Sequence, residues 1–185
     1  MKETVEITDE MFIAEIINTY TRVLYNFIRR FSFTDQETED ILQDVFIKTW
    51  KNKDNFDEEK SSLKTWIFTI TRNTIYDALR KKKGSKIVTS LDNEDHNGNT
   101  YESEDVTSDI IHILEREQSK KILLEAIDKL SEAEKTILLL HTEESMTFNE
   151  ISDIFDTSIN TVKSNYRRSL MKLKLSLENM HQNKK

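Results

Sequence analysis

Three cations, Lys163, Arg167 and Arg168, fall within NTVKSNYRRSL at positions 160–170, and that stretch holds no carboxylate. On a helical wheel Asn160, Thr161, Ser164 and Arg168 share one face, flanked by Lys163, Arg167 and Lys172. Val162, Tyr166, Leu170 and Leu173 share the other. A polar, basic helix face suits the major groove of DNA, where Arg bridges guanine, Asn bridges adenine, and Lys or Ser anchors phosphates. The competing reading is a solvated basic face on a terminal helix. A second concentration of chemistry is SLKTWIFTITRNTIYDALRKKK at 62–83, in which Trp, Phe and Tyr interleave with cations. Aromatic rings stack on unpaired bases, and cations track the backbone of a single strand. The polar loop that precedes it suits a base drawn out of the stack. Trp66 and Tyr76 suit an ordinary helix core as well. A third feature lies in TEDILQDVFIKTWKN at 38–52, where Asp40, Gln43, Asp44, Ile47 and Lys51 line one stripe. An outward isoleucine beside acids marks an interface, unless it is a stray residue on a solvated face.

The histidines offer less. His96, His112, His141 and His181 are scattered, and no two have the H-x-x-x-H spacing of a helical metal site. The two glycines, Gly84 and Gly98, lie in one irregular stretch, so no glycine-rich phosphate loop precedes a helix.

These residues need helices to carry them. From Asp9 to Phe31, apolar residues recur in steps of three and four at Ile13, Ile16, Ile17, Tyr20, Leu24, Phe27, Ile28 and Phe31, which predicts an amphipathic helix. Thr34 with Glu37 makes a capping box for a second helix, whose apolar face is Leu42, Val45, Phe46 and Trp50. A third begins near Ser62, with Trp66, Ile67, Ile70 and Leu79 as core candidates. Its cations Arg80 to Lys83 sit where the helix dipole favours them. Residues 84–107 are rich in Asp, Glu, Asn and Ser and read as a flexible linker. Beyond it a helix is expected from Ile110 to Leu130, with Leu114, Ile122, Leu123, Ala126, Ile127 and Leu130 inward. Ser131 with Glu134 caps the next helix, and Thr147 with Glu150 caps a short one, TFNEISDIF. DTS then turns the chain into a last helix from Ile159 to about Leu177. A short capped helix, a tight turn and a longer helix form the helix-turn-helix pattern. The expected fold class is all-α: two small helical domains joined by a flexible linker, the C-terminal one a helix-turn-helix. The expected boundaries are 1–83, 84–107 and 108–185.

Composition narrows the classes. The 185 residues carry a formal charge of −7, but this total hides a pattern. Residues 61–90 sum to +6, residues 91–117 to −8 and residues 157–185 to +6. The local field, rather than the total, decides what a face attracts. Cysteine is absent, which excludes disulfides and thiolate metal sites and fits a reducing compartment. No apolar run approaches the ~20 residues that span a bilayer. The start, MKETVEITDEMF, has acids where a signal peptide would be basic. A cytoplasmic protein with no membrane insertion is expected.

Taken together, TEDILQDVFIKTW, SLKTWIFTITRNTIYDALRKKK and LSEAEKTILLL…FNEISDIFDTSINTVKSNYRRSLMKLK resemble the extracytoplasmic-function (ECF) sigma factors of bacteria, in the sigma-70 family. The resemblance covers about residues 10–83 and 110–177 in the same order. It implies a transcription initiation factor with no chemistry and no cofactor of its own. Its partners would be core RNA polymerase, promoter DNA and an anti-sigma factor. It places core-polymerase binding on Asp40, Gln43, Asp44 and Ile47. It places −10 recognition and melting on residues 1–83, through Phe56, Lys60, Ser61, Lys64, Asn73 and Arg80. Asn73 matches the asparagine of the family's W-(x)6-N pattern. It places −35 recognition on residues 108–185, through Thr161, Lys163, Ser164, Arg167 and Arg168. The chain departs from the family at Asn160, where glycine often stands, and at Asn165, where a basic residue is frequent. Three alternatives stand beside this reading: a stand-alone helix-turn-helix transcriptional regulator, a helical metal-dependent hydrolase, and a structural helical adaptor. The first accounts for the last seventy or so residues and leaves the basic-aromatic helix unexplained.

Overall fold

The computed structural model describes residues 9–83 and 123–182. The expected linker, and the start of the helix expected from Ile110, lie outside the described residues. The chain divides into two compact units, Met1–Lys86 and Ile87–Lys185. Every regular element among the described residues is helical.

The first unit holds α1 (Asp9–Arg29), α2 (Asp35–Lys51), a 3-10 turn (Lys53–Asn55) and α3 (Leu63–Lys83). Its core is built from Ile16, Leu24, Phe27, Ile28, Val45, Ile67, Phe68 and Ile75, all fully buried. Side chains of this size contribute about 1.5–3 kcal/mol each on burial. Phe27 meets Phe68 edge-on at 5.3 Å, joining α1 to α3. The periodicity expected α1 to run to Phe31, but the helix stops at Arg29. The Arg30 and Phe31 N–H groups bond back to the Phe27 and Ile28 carbonyls, and Ser32 then takes a left-handed φ of 58°. That turn keeps Phe31 and Phe33 in the core although neither is helical. Ile17, expected inward, is exposed. The capping box at Thr34 is complete: Thr34 Oγ1 accepts from the Glu37 N–H at 3.2 Å, and the Thr34 N–H donates to Glu37 Oε2 at 2.7 Å. Lys82 Nζ donates to the same carboxylate at 2.9 Å, tying the end of α3 to the start of α2. Lys48 Nζ donates to Thr74 Oγ1 at 3.1 Å and lies 3.7 Å from Asp77, a second tie between these helices.

The second unit shows helical residues at 123–127, then α4 (Glu132–Thr142), α5 (Phe148–Phe155) and α6 (Ile159–Gln182). The first of these helices was expected to continue to Leu130. It gives way to a turn at 128–130, where the Lys129 and Leu130 N–H groups reach only three residues back. Leu130 stays buried against Ala126, Leu138 and Leu173. The run Ile137 to Leu140 is buried all round, so α4 is the central element of the unit. Both expected capping boxes, Ser131 with Glu134 and Thr147 with Glu150, are formed. Asp156 ends α5 at φ 49° and ψ 51°, and the Thr157 N–H reaches back to the Ser152 carbonyl at 3.1 Å. This left-handed closure makes the turn tight enough to start α6 at Ile159. His141 stacks on Phe148 and meets Tyr166 edge-on, and its Nδ1 lies 2.8 Å from the Met146 carbonyl. This histidine locks three helices together.

Candidate nucleic-acid and partner interfaces

On α2, Thr38, Ile41, Leu42, Val45 and Thr49 point into the unit. Thr49 takes its inward place by donating to the Val45 carbonyl at 2.8 Å. The opposite side exposes Asp40, Gln43, Asp44, Ile47 and Lys51. Ile47 is 50% exposed. Trp50, expected in the core, is 39% exposed and joins this face. The wheel misplaced it because Thr49, a polar residue, fills the inward position. Lys53 Nζ sits 5.3 Å above the Trp50 ring and pairs with Asp54 at 2.9 Å. The result is an apolar strip of Ile47 and Trp50 bordered by Asp40 and Asp44. Exposed large apolar side chains beside charge mark a contact surface better than either feature alone.

The loop between α2 and α3 is folded on itself. The Asn55 and Phe56 N–H groups bond to the Asn52 and Lys53 carbonyls. Asp57 accepts from the Glu59 N–H at 3.0 Å and pairs with Lys60 at 2.7 Å. The Lys60 ammonium, followed by the Glu59 N–H, holds the Asp57 carboxyl below its usual range, and Asp57 in turn raises Lys60. Phe56 is half-buried, tilted on Trp66 at 5.1 Å and stacked on Phe12 at 6.4 Å. Ser61 is half-buried, with its N–H on the Asp57 carbonyl at 3.2 Å. Ser62 starts α3, its Oγ accepting from the Thr65 N–H at 3.1 Å. Lys64, in the first turn, holds Nζ 5.9 Å from the Phe68 ring.

Asn73 and Arg80 are both exposed and stand seven residues apart, two turns along one side of α3. Asn73 Oδ1 accepts from Arg72 Nε at 3.1 Å and from Arg72 Nη2 at 2.6 Å. The Arg72 guanidinium also lies 5.9 Å over the Tyr76 ring. Arg72 was absent from the residues singled out by sequence, and Tyr76 was named there only among the aromatic rings of this helix, as one that also suits an ordinary core. Their i,i+4 spacing was the available signal. Arg80 pairs with Asp77 at 3.0 Å. Lys60, Asn73 and Arg80 are therefore not idle side chains. Each is preoriented by a neighbour, with Asp57 on Lys60, Arg72 on Asn73 and Asp77 on Arg80.

On α6, the exposed side chains of the first two turns are Asn160, Lys163, Ser164 and Arg167. Their spacing of three, four and seven makes one stripe. Thr161 and Arg168 are half-buried at its border. Ser158 caps this helix, its Oγ accepting from the Thr161 N–H at 3.1 Å. Asn165 is buried and donates to the Thr161 carbonyl at 2.9 Å. Lys172 pairs at 2.8 Å with Glu134, whose side chain is 3% exposed, so it belongs to the packing of α6 on α4 and not to the basic face. The stripe is thus rotated from the wheel's centre at Arg168 toward Arg167. Donors of this kind on a helix that follows a tight turn have the geometry to enter a major groove. Among the described residues no three His, Cys, Asp or Glu side chains converge as a metal site, and no helix is long and apolar enough to cross a membrane.

Comparison with known proteins agrees with this arrangement. Residues 16–85 match the family described as Sigma-70 region 2, and residues 120–173 match Sigma-70, region 4. The chain is 26% identical to the ECF RNA polymerase sigma factor RpoE of Cereibacter sphaeroides, over 90% of this chain and 86% of the relative. It is 28% identical to the ECF RNA polymerase sigma factor SigW of Bacillus subtilis, over 93% and 92%. Its fold is similar to that of the sigma factor RpoE from Bartonella quintana, solved with the anti-sigma factor NepR. There the TM-score is 0.62, with 24% identity over 90% of this chain and 96% of that one. With the acidic-apolar face of α2, the basic-aromatic α3 and the helix-turn-helix of α5 and α6 all in place, this chain belongs to the ECF sigma factors of the sigma-70 family, which direct RNA polymerase to promoters.

Proposed function

We propose a division of that work among the three faces. Residues 1–83 form the domain that docks on core polymerase through Asp40, Gln43, Asp44 and Ile47. The same domain opens the −10 element with Phe56, Lys60, Ser61, Lys64, Asn73 and Arg80. Residues 84–107 link it to residues 108–185, which read the −35 element through Thr161, Lys163, Ser164, Arg167 and Arg168. The observation that carries this reading is the exposed stripe of Asn160, Lys163, Ser164 and Arg167 on a helix launched by the left-handed turn at Asp156. The chain contributes binding energy and carries out no covalent step. It works in the cytoplasm, where promoter DNA and polymerase are found. An anti-sigma factor would cover the Ile47 and Trp50 strip until the factor is needed. The similar fold solved with NepR, and the CnrH structure solved with the cytosolic domain of CnrY, support that partner class.

The test is reconstituted transcription. Purified protein is mixed with core RNA polymerase and a pool of genomic promoters, and the transcripts are sequenced. The expected outcome is discrete start sites preceded by two spaced motifs. Binding to duplex DNA without polymerase, and no transcripts with it, would instead favour a stand-alone helix-turn-helix regulator.

A further inference from the structure

The loop between α2 and α3 is held by rings from three separate parts of the chain. Phe12 belongs to the first turn of α1, Phe56 to the loop itself and Trp66 to the first turn of α3. Phe56 is stacked within 26° of parallel on Phe12 at 6.4 Å and tilted on Trp66 at 5.1 Å. Both separations lie in the attractive range for aromatic pairs. Phe56 is also the residue that closes the 3-10 turn, its N–H on the Lys53 carbonyl at 3.1 Å. One residue further on, Asp57 organises Glu59, Lys60 and Ser61 through its carboxylate and carbonyl. The position of the Phe56 ring therefore sets where the strand-facing residues of the loop begin. Trp66 and Phe12 both pack on that ring.

We infer that Phe12 is a positioning residue for −10 strand recognition: stacked on Phe56, it fixes the loop that receives the unpaired base, without contacting DNA itself. This rests on the assignment of that loop to the −10 element. Phe12 is half-buried, whereas the fully buried side chains of α1 are Ile16, Leu24, Phe27 and Ile28. Recognition of a flipped base depends on a pocket of fixed shape, so a loop free to shift loses discrimination before it loses all affinity.

The experiment uses holoenzyme assembled from core polymerase and the full chain. The probes are fluorescent non-template −10 oligonucleotides taken from mapped start sites, with each base replaced in turn. Phe12→Ala should weaken binding of the matched strand about three- to tenfold, the range one aromatic pair allows. It should flatten the preference at one base position while leaving core-polymerase affinity unchanged. Phe12→Tyr should restore both affinity and preference, and Phe12→Leu, which keeps the apolar volume, should restore affinity only in part. Unchanged affinity and base preference in Phe12→Ala, alongside losses in Lys60→Ala and Ser61→Ala, would overturn this inference alone. No effect from any of the four variants that alter the stack or the loop (Phe12→Ala, Phe12→Leu, Lys60→Ala, Ser61→Ala) would overturn the assignment of the loop as well. An equal loss for every base sequence, with rescue by neither Tyr nor Leu, would reduce Phe12 to general packing and also overturn it.

Discussion

Arg167 and Arg168 are neighbours in sequence but not equivalent in place. Arg167 is exposed on the stripe with Asn160, Lys163 and Ser164, whereas Arg168 is half-buried at its edge. The structure therefore shifts the larger expected effect to Arg167. Arg167→Ala should cost about 1–3 kcal/mol on promoters with the preferred −35 sequence and much less on those altered at one base pair. Holoenzyme binding to a panel of −35 variants tests this. A uniform loss across the panel, with the salt slope falling by about one, would make Arg167 a phosphate contact. The type and number of these cations were legible in the sequence, and so was the helix that carries them. Which cation faces outward was not. Asn165 turns in to bond the Thr161 carbonyl, and Lys172 is taken by the buried Glu134. Both are tertiary choices that a wheel of one isolated helix does not contain.

At the level of elements, helix starts were easier to read than helix ends. The starts at Thr34, Ser131 and Thr147 are each written in two residues three positions apart, and all three capping boxes formed. Three of the ends run into left-handed residues that are not glycine, Ser32, Ser145 and Asp156, so the usual marker was missing. A residue with a Cβ in this conformation is strained, though Asp tolerates it better than most. Asp156→Gly should thus raise stability by about 0.5–1 kcal/mol, and Asp156→Val should lower it by more than about 1 kcal/mol. Chemical denaturation of the full chain, followed by helicity, measures both. The start of α2 gives a pH-dependent counterpart. The Thr34 N–H, and then Lys82, hold the Glu37 carboxyl below its ordinary value of 4.5. Its folded value is lower than its unfolded one, so this carboxylate contributes stability above that range, and the contribution disappears as pH falls through the folded value. Glu37→Gln should be less stable than the parent at neutral pH, and the gap should close in acid as pH falls through the lowered folded value. A gap of constant size down to acid would mean that the charge of Glu37 is irrelevant to the cap.

Across the whole molecule, charge separates two kinds of surface. The chain totals −7, yet its two basic segments at 61–90 and 157–185 are each +6. The α2 face, with Asp40, Asp44 and the exposed Ile47 and Trp50, carries the opposite sign and an apolar centre. Nucleic acid favours the first kind of surface, whereas a protein interface with an apolar core and a charged rim favours the second. The sequence showed the stripe but not its full apolar content, because Trp50 was assigned inward. Its exposure strengthens the case for docking, and it also separates two contributions. If α2 docks on core polymerase as proposed, Ile47→Ala would remove apolar area from the centre of that interface, so it should raise the dissociation constant for core polymerase mainly through faster release. Asp44→Arg reverses a rim charge, so it should slow association and change the salt dependence of binding. Neither residue packs into the helical core, and helicity and melting temperature should stay near those of the parent. Stopped-flow titration of labelled protein against core polymerase at two salt concentrations resolves the two rates. If both variants bind as the parent does while Trp50→Ala also leaves affinity intact, the docking surface lies elsewhere on the chain. If Asp44→Arg alters only the association rate and Ile47→Ala only the release rate, α2 is the polymerase-facing helix and its stripe divides steering from holding.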